Sequence, residues 1–220
     1  MKLDREFYLR EDTVVVARDL LGKLLVVPDA TGDRNSGMIV ETEAYLGETD
    51  RAAHSYGGRR TPRNEIMYGE AGYVYVFFVY GMYYQFNVVT GPVDHPHAIL
   101  IRAVEPVEGI ETMRQRRGTK KSEPGAVTTG FLPDKNLTSG PGKICIAFGI
   151  DRSFNSEDLL GNRVWIEDYK KFPDDEIAAG KRIGIDYAGD DVEKPWRFWK
   201  KASSFVSRLP REAKGGRKSS

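Results

Sequence analysis

Cysteine and histidine are scarce in this sequence. The chain contains one cysteine, Cys145, and three histidines, His54, His95 and His97. A single cysteine excludes a disulfide within the chain and any zinc site built from several thiolates. The histidines lack the HxxxH or HExxH spacing that is typical of metal ligands on one helix. We therefore predict no metal site, and we expect Cys145 to be a buried packing thiol.

Long apolar runs and cofactor motifs are also missing. No apolar stretch reaches the roughly 18 residues of a membrane span, and the N-terminal segment MKLDREFYLR lacks the apolar core of a signal peptide. The sequence contains no GxGxxG and no GxSxG motif, and the segment GPGK at 140–143 lacks the flanking residues of a phosphate-binding loop. These absences predict no cofactor, no membrane partner, and a protein that stays where it is made.

The composition is that of a globular domain with an uneven charge. Hydrophobic residues make up 40% of the 220 residues and charged residues 30%, which suits one soluble core. Residues 194–220 hold nine lysines or arginines against one glutamate, a net +8, which leaves −7 for residues 1–193 out of the total of +1. Such a basic segment predicts a surface for polyanions. For the residues after Arg208, a solvated flexible tail explains the charge equally well.

Two patterns of alternating side chains predict strands. The segment GMIVETEAY at 37–45 is a strand that carries Glu41, Glu43 and Tyr45 on one face. The segment at 73–89 consists of two β-branched and aromatic runs that meet at a tight turn, and it predicts a hairpin that is buried on much of both faces. A long polar segment lies between them, and loops of that length are usually functional or disordered.

The remaining segments predict further helices and strands. Helices are expected after Asp12 or Thr13, from Glu105-Pro106 through Gln115, and from Pro141 through Phe148, while short strands are expected at 24–27, 99–103, 163–167, 182–187 and 196–199. We predict an α+β fold, a single mixed domain over 1–208 with a curved, mostly antiparallel sheet, flanking helices and a protruding β-hairpin. A basic, flexible tail is expected over 209–220.

Carboxylates beside aromatic side chains suit the hydrolysis of glycosidic bonds. One carboxylate can activate water, and its negative charge supports an oxocarbenium-like sugar. Aromatic rings also stack on nucleobases. Taken one at a time, however, these features are better explained by glutamates on a strand surface and aromatic residues in the core, so the local pattern alone leaves the function open.

Longer blocks of the sequence resemble a known family. GMIVETEAYLGETDRAAHSYGGRRTPRN, YVYVFFVYGMYYQFNVV, ILIRAVEPVEG, TSGPGKICIAFGI and KPWRFW occur in this order. Together they are similar to the alkyladenine (3-methyladenine) DNA glycosylases, a family of monofunctional purine-specific DNA glycosylases, from about residue 7 to residue 208. The resemblance implies a repair enzyme without metal, cofactor or lyase activity. Such an enzyme flips damaged purines (3-methyladenine, 7-methylguanine, hypoxanthine, ethenoadenine) out of duplex DNA and hydrolyses the N-glycosidic bond, which leaves an abasic site for base excision repair.

The resemblance also implies roles for individual residues. The catalytic group would be Glu43, which activates the water, with Arg102 and the backbone of Val206 as its positioning partners. The base pocket would consist of Tyr45, His54, Phe77 and Asn87. A wedge of Tyr80 and Met82 would enter the minor groove, and we expect Arg59, Arg60 and Arg63 to meet the DNA backbone. Relatives carry tyrosine at the position of Phe77, so stacking is retained here without a phenolic hydroxyl.

The implied partner is duplex DNA that contains damaged purines, bound by a monomer in the bacterial cytoplasm or the eukaryotic nucleus. Two alternatives stay open. A non-catalytic binder of distorted duplexes would have no use for Glu43 facing a polyanion. An O-glycoside hydrolase that uses Glu41 and Glu43 as its pair would leave the basic tail and the hairpin without a purpose. We expect Glu41 to be structural and to pair with an arginine.

Overall fold

One antiparallel sheet organises the chain. The computed structural model describes residues 1–79, 81–119 and 134–209. The eight strands are β1 (Leu24–Pro28), β2 (Arg34–Leu46), β3 (Val74–Val79), β4 (Tyr83–Thr90), β5 (His97–Glu108), β6 (Trp165–Glu167), β7 (Ile177–Gly180) and β8 (Arg197–Lys200). Their order is β3-β4-β5-β2-β1-β6, with β8 beside β2 and β7 beside β8, and all these pairs are antiparallel.

Short helices and turns flank this sheet. The α-helices are α1 (Arg5–Leu9), α2 (Thr13–Asp19), α3 (Ile110–Thr119) and α4 (Pro141–Phe148). Turns of 3₁₀-helix cover Gly47–Thr49, Tyr56–Gly58, Glu65–Tyr68, Asp134–Asn136, Arg152–Phe154, Asp174–Glu176 and Gly189–Glu193. The carboxylate of Asp12 caps α2 by accepting the N–H groups of Val14 and Val15, as predicted. The architecture confirms the predicted α+β class with a mostly antiparallel sheet.

Strand β2 lies inside the sheet, with neighbours on both sides. It pairs with β5 along its length, with β1 through its first residues, and with β8 at Glu41, Thr42 and Glu43. All residues of β2 from Asn35 to Ala44 are buried. The two glutamates are therefore held in the interior, and the interpretation of them as strand-surface residues is wrong.

The hairpin predicted at 73–89 is confirmed as β3 and β4, but its burial is uneven. The halves of the two strands away from the turn are buried, whereas Phe78, Met82 and Tyr83 near the turn are exposed. The core packs against the sheet around fully buried side chains such as Tyr8 and Phe86. Cys145 is buried in this core, as expected.

The start predicted for the helix at Glu105-Pro106 is wrong, although a helix does cover the second half of the predicted segment. Strand β5 continues to Glu108, and α3 begins only after Gly109, whose φ of 72° breaks the strand. The register between β2 and β5 shifts where Gly37 lies opposite Pro106. A β-bulge tolerates a proline, which has no N–H to donate to the ladder. Strand pairing therefore overrides the helix-start signal of the proline.

The strand predicted at 182–187 is also wrong. The strand in this region is β7, which ends at Gly180 and pairs with β8. Residues 182–187 form an irregular segment in which Gly184 has a φ of 77°. No helix in the described ranges combines the length and the apolar character that a membrane crossing requires.

Candidate active site

Two buried carboxylates lie on one strand and share one arginine. Glu41 and Glu43 have no exposed surface. Arg102 on the neighbouring β5 donates from Nε to Glu41 at 3.1 Å and from Nη1 to Glu43 at 3.2 Å. Burial lowers the pKa of Arg102, but the charges of Glu43 and Glu41 outweigh burial and hold it above its usual range. The guanidinium therefore stays charged and neutralises part of the buried negative charge.

Glu41 is surrounded by donors. Besides Arg102, it accepts from Arg197 Nε at 2.8 Å, from the Ser207 amide at 2.6 Å and from the Ser207 hydroxyl at 2.9 Å. Four donors match the roughly four lone-pair directions of a carboxylate. The expected pairing of Glu41 with arginine is present, and this full set of partners favours a structural role.

Glu43 has a different environment on the same strand face. Its Oε1 accepts the Ile183 amide at 2.7 Å, and its Oε2 accepts both the Tyr45 hydroxyl at 2.9 Å and Arg102. Three described donors leave about one lone-pair direction for a further proton donor. Burial raises the pKa of Glu43, although Arg102, the Ile183 amide and the Tyr45 hydroxyl each act to lower it. A carboxylate with a raised pKa is the stronger base.

A cavity of about 350 Å³ opens beside this network. The predicted residues Tyr45, His54, Phe77, Asn87 and Arg102 all line it. Glu43 is not among the lining residues, but it is hydrogen-bonded to three residues that are, namely Tyr45, Arg102 and Ile183. The structure thus brings the four predicted base-pocket residues, from β2, a loop and both hairpin strands, around one space together with Arg102 from β5. Its volume is in the usual range for small-ligand sites.

One wall of the cavity is aromatic. The His54 and Phe77 ring centroids lie 4.5 Å apart with the rings nearly perpendicular, and His54 Nδ1 is 2.8 Å from the Tyr75 hydroxyl. His54 remains exposed to solvent, yet burial on its packed side, followed by the charges of Arg63 and Arg59, lowers its pKa to about 4. Its imidazole is therefore neutral at neutral pH.

Asn87 lines the cavity and is 4% exposed. Its Nδ2 donates to the Tyr75 carbonyl at 3.0 Å and to the Gln85 carbonyl at 3.4 Å. The side chain is thereby fixed between neighbouring strands. The hydrogen-bond partners that a buried amide requires are thus supplied by the backbone.

A buried ion pair behind Tyr45 was not found from the sequence. Arg182 donates to both oxygens of Asp50 at 2.5 and 2.8 Å and to the Ala44 carbonyl at 2.9 Å. Both charged side chains are fully buried, and the guanidinium lies 4.7 Å from the Tyr45 ring centroid. Because the next residue, Ile183, donates its amide to Glu43, this pair supports both the ring and the carboxylate.

The other predicted residues lie around this centre. Val206 is buried and precedes Ser207, whose amide binds Glu41, so the backbone of Val206 adjoins the network. Met82 is 59% exposed at the hairpin turn, where Gly81 has a φ of 67°. Tyr80 falls outside the described residues.

The three arginines predicted to meet DNA are exposed but not equivalent. Arg60 forms ion pairs with Glu65 at 2.6 Å and Asp94 at 3.1 Å, so its charge is largely neutralised. Arg63 lines the cavity, with its guanidinium 5.1 Å from the Phe77 ring centroid. Arg59 lines an adjoining depression next to His54. Arg59 and Arg63 are therefore the better candidates for phosphate contacts.

Comparisons with known proteins identify the family of this chain. The family model described as methylpurine-DNA glycosylase (MPG) matches residues 6–204. This chain belongs to the methylpurine-DNA glycosylase family. A relative in Desulfitobacterium hafniense (strain Y51), named "Putative 3-methyladenine DNA glycosylase", is 51% identical over 206 residues, which cover 94% of this chain and 98% of the relative. A relative of the same name in Clostridium acetobutylicum (strain ATCC 824) is 50% identical over 212 residues, covering 96% and 100%. The family resemblance of the sequence is confirmed.

The Arg182–Asp50 pair makes a prediction about stability. Arg182→Lys keeps the charge but loses the two-pronged contact with Asp50 and the flat packing against Tyr45. We expect it to lower the free energy of unfolding by about 2–4 kcal/mol, because a buried charge is left poorly paired. Urea denaturation provides the measurement. Arg18→Lys, in the exposed pair with Asp174, is the control and should cost less than about 1 kcal/mol. Equal losses in the two variants would contradict a supporting role for the buried pair.

His54 makes a prediction about pH. Its folded-state pKa of about 4 lies below the value of an unfolded histidine, so protonation disfavours the folded state. The stabilising effect of its neutral form is complete above about pH 6.5 and is lost as the pH falls towards 4. NMR titration of the imidazole should show this low pKa, and Arg63→Gln should raise it by removing a nearby positive charge. A titration midpoint near 6.5 in the unaltered protein would refute this environment for His54.

Proposed function

We propose that this protein is a DNA-repair glycosylase that hydrolyses the N-glycosidic bond of damaged purines flipped out of duplex DNA. The observation that carries the proposal is the position of Glu43. It is a buried carboxylate with a raised pKa directly behind an aromatic cavity, and one of its oxygens is shared with Tyr45 and Arg102 at the cavity wall. Membership in the methylpurine-DNA glycosylase family supports the same chemistry.

The cavity would receive the damaged base. A purine placed between Tyr45 on one side and His54 with Phe77 on the other would stack on aromatic rings. Base flipping costs a few kcal/mol and costs least for a damaged base, so extrusion itself favours lesions. Alkylation at N3 or N7 makes a purine cationic, which strengthens its attraction to the ring faces. It also makes the purine a good leaving group.

Bond cleavage would use Glu43 as a general base. Its Oε1, which accepts only the Ile183 amide among the described donors, takes a proton from a water that Arg102 and the nearby backbone of Val206 position. The water oxygen bonds to C1′ of the sugar while the bond from C1′ to the purine nitrogen breaks, and the purine leaves with the electron pair. Negative charge on Glu43 supports the oxocarbenium-like sugar before the proton is transferred. The products are a free base and an abasic site.

The sugar–phosphate backbone of the DNA strand would remain intact. Strand cleavage through a Schiff base needs an amine nucleophile, and none of the described residues that line the cavity is a lysine. We therefore propose a monofunctional enzyme. The 3-methyladenine in the names of the relatives is the first candidate substrate, and 7-methylguanine, hypoxanthine and ethenoadenine are the further candidates.

The hairpin turn and the exposed arginines would bind the duplex. Tyr80 would fill the space that the flipped nucleotide leaves, with Met82 packing nearby, and Arg59 and Arg63 would contact phosphates. We propose a monomer acting on chromosomal DNA, in the cytoplasm if the organism is bacterial, like the relatives named above. An O-glycosidase that uses Glu41 as its acid is disfavoured, because four donors already occupy that carboxylate.

The substitution Glu43→Gln tests the assignment. We expect single-turnover base release from a duplex with one methylated purine to fall by at least about 100-fold, because the amide cannot take a proton from water. Binding to a duplex with an abasic-site analogue should persist. In the unaltered protein, release should slow as the pH falls through the raised pKa of Glu43, because the ionised form is the base. Glu70→Gln, at an exposed glutamate, is the control and should retain full activity.

Substantial base release by Glu43→Gln would refute the general-base role. Loss of both release and binding, together with a lowered free energy of unfolding, would instead assign Glu43 to structure. Strong binding of lesion duplexes without any release by the unaltered protein would favour the non-catalytic binder.

A further inference from the structure

A second groove adjoins the base cavity along β3, the edge strand of the sheet. Its volume is about 620 Å³, and its lining includes Phe78, Tyr84, Arg152 and Arg63. Phe78 and Arg63 border both this groove and the base cavity. The proposed function accounts for a single damaged base in the first cavity and gives this groove no task.

Aromatic rings form one side of the groove. Phe78 is 49% exposed, and its ring centroid lies 5.0 Å from that of Tyr84 with the planes tilted by 47°. A partly exposed ring supported by a second ring offers an open face for stacking. Every nucleobase has a flat π-face, so such a ring binds bases with little dependence on sequence.

Positive charge forms the other side. Arg63 and Arg152 are exposed, and neither forms an ion pair with a carboxylate in the described part of the chain. Asp151 is next to Arg152 but accepts the amide and hydroxyl of Ser153 at 2.8 and 2.6 Å. The groove lining, as far as the described residues show it, contains no acidic side chain. Guanidinium groups that have no carboxylate partner among the described residues and lie beside aromatic rings are complementary to a phosphate joined to a base.

We propose that this groove binds the nucleotide next to the damaged one on the same DNA strand. The base would stack on the Phe78 and Tyr84 pair, and its phosphate would lie between Arg63 and Arg152. Neighbouring nucleotides are covalently joined, and the two spaces share Phe78 and Arg63, so the nucleotide next to the damaged one is the nearest candidate occupant of the groove. This inference rests on the proposed function, since it takes the first cavity to be the base pocket.

Two substitutions that touch only the second groove test the inference. Tyr84→Leu should weaken binding to a duplex with a tetrahydrofuran abasic-site analogue by about tenfold, without changing the slope of log affinity against log salt. Arg152→Gln should make that slope shallower by roughly 1, because one phosphate contact is lost. Tyr169→Leu is the control, at a tyrosine that is 45% exposed beyond β6 on the opposite edge of the sheet, and it should match the unaltered protein.

The decisive comparison is between duplexes whose damaged DNA strand has full length and duplexes in which that strand is shortened. Duplexes in which the damaged strand ends directly beside the analogue, on the 5′ or the 3′ side, remove the proposed occupant. The effects of Tyr84→Leu and Arg152→Gln should disappear with one of the two shortened strands and persist with the other. Effects that persist with both shortened strands, or variants that bind every duplex like the unaltered protein, would overturn the inference.

The two proposals fail in different ways. If the unaltered protein releases damaged purines but the variants show no dependence on strand length, only the groove proposal fails. If the dependence on strand length holds but no base is released, the glycosylase proposal fails and the groove stands as a DNA-binding site. Arg152 is exposed, so Arg152→Gln keeps the test valid if Tyr84→Leu fails to fold.

Discussion

The ion pairs that join Glu41 and Glu43 to arginine are the interaction on which the whole site depends. Two ionised carboxylates on one strand face can be buried together when cations neutralise them, because an unpaired buried charge costs on the order of several kcal/mol. Arg102 reaches them from β5 and Arg197 from β8, on opposite sides of β2. The order of strands in the sheet is therefore a condition for the site, and not only a frame around it.

The same network gives two chemically equal residues unequal environments. Glu41 is held by four donors, whereas Glu43 has three and lies against the cavity wall. In the proposed mechanism, this difference leaves a lone-pair direction on Glu43 for water. The Arg182–Asp50 pair extends the support, because it packs behind Tyr45 and precedes the amide that binds Glu43.

The parts of the site that lie on regular strands were predictable from the sequence. A strand alternates its side chains, so Glu41, Glu43 and Tyr45 share a face. The two β-branched and aromatic runs at 73–89 predicted the hairpin. Arg182 and Asp50 were not predictable, because a pair separated by 132 positions between irregular segments leaves no local pattern. The helix start predicted at Pro106 was wrong for a related reason. The conformation of Pro106 is decided by the pairing of its strand with β2, which lies far away in the sequence.

The most direct test of the glycosylase assignment is base release from duplexes that each carry one 3-methyladenine, 7-methylguanine, hypoxanthine or ethenoadenine. After incubation with the unaltered protein, hot alkali should cleave the strand at the position of the lesion in at least one methylated duplex, and the same strand should stay intact without alkali. Undamaged duplexes should remain uncut. The absence of alkali-labile sites in all four duplexes would contradict the assignment, and cleavage without alkali would contradict a hydrolase that stops at the abasic site.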